Sequence, residues 1–190
     1  DNFQENPSPV VSHRTSPTNM GLALLANLSA YDFGYISSGQ LLERTANTFR
    51  TMEALERHRG HFYNWYDTQT LKPLLPFYIS TVDSGNLAGH LLTLRSGLLA
   101  LLDQPILGPR LFEGIQHTIG VLMDVAGTAL IPHLSHIRTA VEVARYEPPT
   151  TIAATVVCLQ RLTKLAADAA DNLDRDAGSE ANGWVHALAR

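Results

Sequence analysis

Cysteine and clustered positive charge are both scarce in this 190-residue sequence. Its single cysteine, Cys158, excludes a disulfide within the chain, and the apolar residues around it predict a buried, inert thiol. Lysine and arginine total 14 against 18 aspartates and glutamates, a formal net charge of −4, and they form no cluster. A nucleic-acid interface needs a basic stripe, so nucleic acid is not an expected partner.

Long apolar runs and targeting signals are also missing. No run of eighteen apolar residues occurs, so we expect no membrane span within the chain. The polar start, residues 1–7, has neither the basic nor the apolar region of a signal peptide. It lacks an initiator Met, and the chain stops within a helical pattern, so we expect a fragment of a longer protein; a processed N-terminus would look the same.

Motifs for phosphate, nucleophile and metal chemistry are absent as well. The sequence has no Gly-rich phosphate loop, Walker motif or Gly-x-Ser-x-Gly elbow, and we expect no cofactor. Among the eight histidines, His133 and His136 lie three apart on a predicted helix, without a carboxylate nearby in sequence. His58 and His61 share that spacing across a predicted break. Structural or surface roles are favoured for all of them, and we expect no metal.

Two helices joined by a short turn are predicted near the start. Ser16-Pro17 is a hydroxyl cap followed by proline at the first helical position, which favours a helix start. Gly34 is suited to the residue after that helix. Ser37 and Gln40 then have the spacing of a capping box, which predicts the start of a second helix.

Further helical patterns follow to the end of the chain. Asp83 or Ser84 is predicted to cap a third helix, in which leucines recur every three to four residues. Later helical patterns cover about 108–126, 133–145, 150–173 and 180–190. The sequence therefore predicts an all-α fold in three parts: an extended arm over 1–15, a first set of helices over 16–102, and a helical extension or insertion over 103–190.

Residues 58–82 interrupt the helical pattern and are rich in aromatic and β-branched side chains. Pro73 and Pro76 exclude a helix interior, and we expect an irregular excursion with at most a short hairpin near 61–72. Eleven of the fourteen aromatic residues lie within 1–78. The second half can fill its core with Leu and Ala, so the aromatic density of the first half needs its own explanation.

The richest segment is Arg59-Gly60-His61-Phe62-Tyr63-Asn64-Trp65-Tyr66-Asp67. Sugar sites combine aromatic faces, which stack on a pyranose, with Asn, Asp, Arg and His, which pair with hydroxyls. In an extended segment alternate residues share a face, so His61, Tyr63, Trp65 and Asp67 are predicted on one face and Phe62, Asn64 and Tyr66 on the other. The simpler interpretation, slightly favoured by composition by itself, is that these aromatics only cap a helical bundle.

Two polar clusters lie at predicted helix entries, Arg14-Thr15-Ser16-Pro17-Thr18-Asn19 and Ser80-Thr81-Val82-Asp83-Ser84-Gly85-Asn86. Both can be ordinary N-caps. The functional interpretation places Asp83 and Asn86 at the mouth of a cleft, with Asp83 as a general acid/base or an orienting carboxylate. The first and third helices of an up-down arrangement point the same way, so the two clusters are predicted to converge.

These strings, together with Asp32-Phe33-Gly34-Tyr35-Ile36 and Asp1-Asn2-Phe3-Gln4-Glu5, closely resemble the bacterial cyclic β-1,2-glucan synthases. The resemblance is strong over residues 1–95, whereas over residues 96–190 only the pattern of predicted helices can be aligned. It implies a very large parent in the bacterial inner membrane, with a membrane-embedded glycosyltransferase region, a middle glycoamylase-like region and a C-terminal phosphorylase-like region. The strings resemble the start of the middle region, an (α/α)6 barrel in related enzymes that is implicated in the ring-closing transglycosylation. On this basis we expect the region to face the cytoplasm.

The resemblance also bears on catalysis. The family's catalytic glutamates lie in Phe-Glu-Tyr-Leu and Ser-Glu-Ser contexts, which do not occur here, so we expect them outside this chain. A retaining glycosidase needs two carboxyls about 5 Å apart, and the sequence offers no convincing pair. Asp83 matches the family's Ser-Thr-Val-Asp string and is the one candidate catalytic residue. The predicted substrate-binding set is Arg14, Asn19, His61, Tyr63, Trp65, Asp67, Asp83 and Asn86.

Three hypotheses follow. In the first, the chain supplies a glucan-binding wall of the transglycosylating domain, is inactive alone, and has β-1,2-glucan and the remainder of the parent synthase as partners. In the second, it is a non-catalytic helical module that binds glucan or acts as a scaffold. In the third, it is a helical interaction domain whose aromatics contact a partner protein. An exposed apolar face on the first helices would predict self-association of the fragment.

Overall fold

The computed structural model describes residues 1–104, 108–125, 130–171 and 179–189. Helix makes up 68% of the chain and strands occur only as short pairs, so the predicted all-α fold is confirmed. The helices of the described residues are α1 (Pro17–Asp32), α2 (Ser38–Ala54), α3 (Thr81–Ala100), α4 (Pro109–Val125), α5 (Ile131–Tyr146), α6 (Ile152–Asp171) and α7 (Ser179–Ala189). A 3-10 helix, Leu101–Asp103, follows α3.

The first two helix boundaries agree with the sequence signals. Ser16 Oγ accepts a hydrogen bond from the backbone N–H of Asn19 (3.3 Å) at the start of α1. Ser37 and Gln40 exchange the two hydrogen bonds of a capping box at the start of α2. Between these helices Gly34 adopts a φ of 74°, which glycine tolerates without steric cost. The predicted helical hairpin is therefore confirmed at both caps and at its turn.

The predicted cap of α3 was wrong. Ser80 is the N-cap, and its hydroxyl accepts from the backbone N–H of Asp83 (3.1 Å), so Asp83 lies inside the first turn of the helix. Serine followed three residues later by a carboxylate is itself a helix-entry pattern, and a negative charge in the first turn is favourable at the positive end of the helix dipole. The shift by one turn matters because it points the Asp83 carboxylate back toward the helix entry.

The short strands lie in three antiparallel pairs, and none of these pairs was predicted. They are β1 (Asn2–Gln4) with β2 (Val10–Ser12), β3 (Arg14–Thr15) with β6 (Tyr66–Asp67), and β4 (Arg57–His58) with β5 (His61–Phe62). The expectation of at most one hairpin near 61–72 is corrected: backbone bonds from Leu74 to Trp65 and from Asp67 to Lys72 form that hairpin over 65–74. Strands of two or three residues are too short to carry a periodic signal.

The chain divides into two compact units, Asp1–Tyr31 with Ile36–Ile106, and Asp32–Tyr35 with Leu107–Arg190. The first unit contains α1 to α3 and the strands. Its buried core consists of Met20, Leu24, Leu28, Leu41, Met52, Leu55, Tyr66, Leu87 and Leu94. One aromatic side chain, Tyr66, is therefore central to this core, and other aromatics pack around its edge.

The second unit is a four-helix bundle. α4 packs against α5 and α7, and α6 packs against the same two helices. Its core is mostly aliphatic: Phe112, Ile119, Leu122, Leu130, Leu134, Ile137, Val141, Ala144, Leu162, Ala169 and Val185. Cys158 packs against this core but is half-buried, so the prediction of a buried thiol was wrong. No described helix is long and apolar enough to cross a membrane.

Candidate functional site

The entries of α1 and α3 meet around the carboxylate of Asp83. The hydroxyls of Ser80, Thr18 and Ser16 and the backbone N–H of Thr18 surround this carboxylate closely enough that hydrogen bonding with them lowers its pKa. A second link joins the helices, because Asn86 Nδ2 donates to Thr18 Oγ1 (3.1 Å) although 68 positions separate the two residues. The predicted convergence of the two polar clusters is confirmed.

Asn64 connects the aromatic segment to this carboxylate. Its side-chain nitrogen donates to Asp83 Oδ2 (3.0 Å), and its oxygen accepts from Trp65 Nε1 (2.6 Å) and from the hydroxyl of Tyr78 (2.5 Å). This amide orientation follows from its neighbours, since an indole N–H only donates and an ionised carboxylate only accepts. Asn64 is buried, and its backbone N–H donates to the carbonyl of Tyr78 (3.0 Å). We call Ser16, Thr18, Asn64, Ser80 and Asp83 the Asp83 cluster.

Trp65 extends the cluster toward solvent. Its ring is half-buried, and the Arg14 guanidinium lies 4.9 Å from the ring centroid. A guanidinium at that distance from an indole face is attracted by the ring's quadrupole, which holds both side chains in place. The geometry therefore combines an aromatic face, a cation, a carboxylate and several hydroxyls within one surface region.

The electrostatics of Asp83 result from two opposing effects. Burial raises its pKa and is the largest single contribution, but the hydrogen bonds from Ser80, Thr18 and Ser16 together outweigh it. The pKa of Asp83 therefore lies below its ordinary value of 3.8. The carboxylate is ionised at neutral pH, which suits a hydrogen-bond acceptor and not a proton donor.

Replacing Asp83 by asparagine is expected to destabilise the first unit by about 1 kcal/mol at pH 7, because the hydroxyls lose a charged acceptor. A carboxylate whose pKa is lowered by folding stabilises the protein above its unfolded pKa, and this contribution is lost as the pH falls. The difference between wild type and Asp83→Asn should thus shrink below about pH 3.8. Urea unfolding from pH 3 to 7 measures it, with exposed Asp124→Asn as the control; a pH-independent difference would contradict the prediction.

Not all of the predicted set joins this cluster. His61 is exposed in β5 and lies opposite His58 in the strand pair. Tyr63 packs its ring against Tyr66 and against Phe77 (5.4 Å between centroids), at the edge of the core. No hydrogen bond among the described residues links His61 or the Tyr63 side chain to Asp83. The reason is that β5 pairs with β4 whereas β6 pairs with β3, so residues 61–67 are not one continuous strand.

Asp67 and Asn19 lie away from the Asp83 cluster and line a cavity. Asp67 Oδ1 accepts from the backbone N–H groups of Gln69 (2.9 Å) and Thr70 (2.7 Å) and from the Thr70 hydroxyl (3.0 Å). The N–H and the hydroxyl of Thr70 are the main causes that hold the pKa of Asp67 below its ordinary value. Asn19 Nδ2 donates to Asn2 Oδ1 (2.9 Å). Both residues line a cavity between α1, α2 and β6, apart from the Asp83 cluster.

Sequence reasoning missed two members of the site. The alternation of residues placed Asn64 on the face opposite to Trp65, and Tyr78 was not singled out at all. Burial of a side-chain amide beside an acidic residue requires partners, but which partners it finds depends on the packing of residues far apart in sequence. The aromatic pair Phe77 and Tyr78, which follows Pro73-Leu74-Leu75-Pro76 and is exposed in the structure, was the signal that could have drawn attention to this segment.

The second unit holds one arrangement that sequence spacing did not suggest. His133 and His136 of α5 line a cavity of about 310 Å³ with Asp168 and Asp171 of α6. Carboxylates therefore do lie across from the histidine pair, although they are distant in sequence. In the part of the chain that the structure describes, no group of three or more His, Cys, Asp or Glu side chains could hold a metal ion.

The sequence of this chain is similar to that of a known protein. No protein-family model matches the chain. The chain is 50% identical over 96 residues to the cyclic beta-(1,2)-glucan synthase NdvB of Rhizobium meliloti (strain 1021); the match covers 50% of this chain and 3% of the synthase. This chain therefore spans only a small part of that relative's length. At this identity over half of its residues, the chain is consistent with a fragment of a cyclic β-(1,2)-glucan synthase.

Proposed function

We propose that the chain forms part of a glucan-binding wall in the transglycosylating, ring-closing region of a cyclic β-1,2-glucan synthase. The observation that carries this proposal is the convergence of the α1 and α3 entries on Asp83, with Trp65 and Arg14 beside it. An indole ring offers an apolar face for a pyranose, and the neighbouring amide, hydroxyl and carboxylate groups can exchange hydrogen bonds with sugar hydroxyls.

The chain by itself is proposed to be inactive. Asp83 and Asp67 both have lowered pKa values and both accept several internal hydrogen bonds, so neither is suited to donate a proton at neutral pH. They also face different parts of the first unit, whereas a retaining glycosidase uses two carboxyls about 5 Å apart on one cleft. The catalytic glutamates are accordingly placed in the remainder of the parent synthase, and Asp83 is a substrate-contacting residue.

The exposed apolar residues of α3 support the proposal that this chain is part of a larger barrel. Its apolar side chains face both the core and solvent: Leu87 and Leu94 are buried, whereas Val82, Leu92 and Leu99 are exposed. A helix with apolar residues on more than one face usually packs against neighbours on more than one face. We infer that further helices of an (α/α)6 barrel in the parent cover this face, and that the isolated chain self-associates through it. The parent itself is proposed to be a protein of the bacterial inner membrane, with this region facing the cytoplasm.

Titration with linear β-1,2-glucan should quench the fluorescence of Trp65 in a saturable manner. The chain has one other tryptophan, Trp184 in α7, so the measurement uses the full chain with Trp184→Phe. Replacing Asn86 by alanine removes an exposed amide that bonds Thr18 and should weaken glucan binding about twofold to tenfold, since a hydrogen bond contributes about 0.5–1.5 kcal/mol.

The matched control replaces Asn47, an exposed amide on α2, by alanine and should leave the affinity unchanged. Equal quenching by β-1,3- and β-1,4-glucans would favour a general aromatic surface over a β-1,2-glucan site. Absence of quenching would refute the glucan-binding wall and favour a helical interaction domain. Glucan transfer by the isolated chain would show that the catalytic groups lie within it.

A further inference from the structure

The cavity that Asn19 and Asp67 line has a composition unlike that of the Asp83 cluster. It measures about 320 Å³, at the small end of the ~300–1,000 Å³ typical of small-molecule sites. Helices α1 and α2 form two walls, and the segment from Tyr66 to Leu71 forms a third. None of the residues of the Asp83 cluster lines it, so it is a separate site of the first unit.

Its floor is apolar and fully formed. Met20, Met52 and Leu55 reach it from the core, with 7%, 6% and 5% of their surfaces exposed, and the buried ring of Tyr66 lies beside them. Ala23 adds a small side chain on the α1 wall. Such a floor favours a ligand with an apolar face, and the flexible methionines allow that face to vary in shape.

Its rim is rich in hydrogen-bond acceptors. Thr48 and Thr51 donate their hydroxyl protons to the carbonyls of Arg44 (2.9 Å) and Asn47 (3.1 Å), and Thr68 donates its proton to Asp1. A hydroxyl that has given up its only proton keeps lone pairs for accepting. The Asp1 and Asp67 carboxylates accept only. The cavity therefore matches a ligand that brings its own donors.

We propose that this cavity binds a neutral sugar of one or two glucosyl residues, with the pyranose C–H face on the methionine floor and the hydroxyls donating to the threonine rim. The choice of a glucosyl ligand rests on the proposed function. A neutral polyol fits better than an organic cation because both carboxylates already have partners: Asp67 accepts three hydrogen bonds, and Asp1 lies 3.3 Å from His13 Nδ1 as well as bonding Thr68. Scattered acceptors suit several hydroxyls, not one concentrated positive charge.

The test uses the full chain, the β-1,2-linked glucose disaccharide as the probe, and isothermal titration together with amide NMR shifts. Ala23→Phe fills the cavity from an exposed helix position, and Ala26→Phe places the same side chain on α1 where it does not line the cavity. We expect binding to weaken by about tenfold or more in Ala23→Phe and to be unchanged in Ala26→Phe. Thr51→Val, which keeps the shape and removes an acceptor, should weaken binding about twofold to tenfold.

The outcomes separate this proposal from the proposed function. Loss of disaccharide binding in Ala23→Phe with Trp65 still quenched by long glucan supports a second sugar site beside the wall. If Ala23→Phe loses disaccharide binding and long glucan never quenches Trp65, the cavity proposal is supported and the proposed glucan-binding wall is refuted. Equal binding by Ala23→Phe and Ala26→Phe, or no disaccharide binding by wild type, overturns the cavity proposal. Tetramethylammonium binding in place of the sugar overturns the ligand class.

Discussion

Replacing Tyr66 by alanine is expected to lower the free energy of unfolding of the first unit by about 3–5 kcal/mol, the range for deleting a large buried aromatic ring. Tyr66 has no exposed surface and packs in the core with Leu24 and Leu41. Its hydroxyl also accepts from the backbone N–H of Tyr63 (2.8 Å) and donates to the carbonyl of Glu56 (2.7 Å). The alanine variant thus loses both the packed ring and the bridge between two irregular segments.

The measurement is urea unfolding followed by Trp65 fluorescence in the Trp184→Phe background. Tyr66→Phe keeps the ring and removes the hydroxyl, so it should cost about 1–3 kcal/mol for the two backbone groups left without a partner. Tyr146, which is 79% exposed at the end of α5, provides the matched control, and its alanine variant should stay within about 0.5 kcal/mol of wild type. A Tyr66→Phe variant as stable as wild type would show that the bridge contributes nothing.

Replacing Gly114 by alanine is expected to destabilise the second unit by about 1–3 kcal/mol, as overpacking does. A Cβ atom at Gly114 would lie 2.1 Å from the carbonyl oxygen and 2.3 Å from the carbonyl carbon of Gly34. These are backbone atoms, which cannot rotate away as a side chain does. The turn that holds Gly34 would have to move, or α4 would have to shift in the bundle.

The matched control lies on the same helix. Gly120 is exposed, and a Cβ atom there would meet nothing within 4 Å, so Gly120→Ala should stabilise α4 by up to about 1 kcal/mol through helix propensity. The same substitution is therefore expected to have opposite signs at two positions six residues apart. Thermal and urea unfolding followed by circular dichroism measure both, and equal effects would refute the close approach of Gly114 to Gly34.

Much of the local structure was predictable because its causes are local. The serine-proline start of α1, the Ser37–Gln40 capping box and Gly34 each act within one helical turn, and each is found where the sequence placed it. The all-α fold followed from the helical period for the same reason. The cap of α3 was misplaced by one turn because Ser80, Asp83 and Ser84 are all suitable caps, and local chemistry alone does not rank them.

The predicted site residues divide according to which strands pair. Period-two alternation assumed that residues 61–67 form one strand, but this segment changes partner between β5 and β6. Trp65, Asp83 and Asn86 therefore meet at the helix entries, whereas Asn19 and Asp67 line the cavity between α1, α2 and β6, and His61 remains exposed. Pairing between β3 and β6 joins residues about fifty positions apart, and no pattern within either segment encodes that partnership.

The sequence by itself determined the helical class, the starts of the first two helices, the turn between them and the resemblance to a cyclic glucan synthase. Caps, periodicity and long ordered motifs are properties of neighbouring residues. Only the tertiary structure decided that Asn64 links Trp65 to Asp83, that the predicted site residues do not share one site, and that hydroxyl acceptors surround an apolar floor. Those features depend on which distant segments pack together, and packing is a collective outcome of the whole first unit.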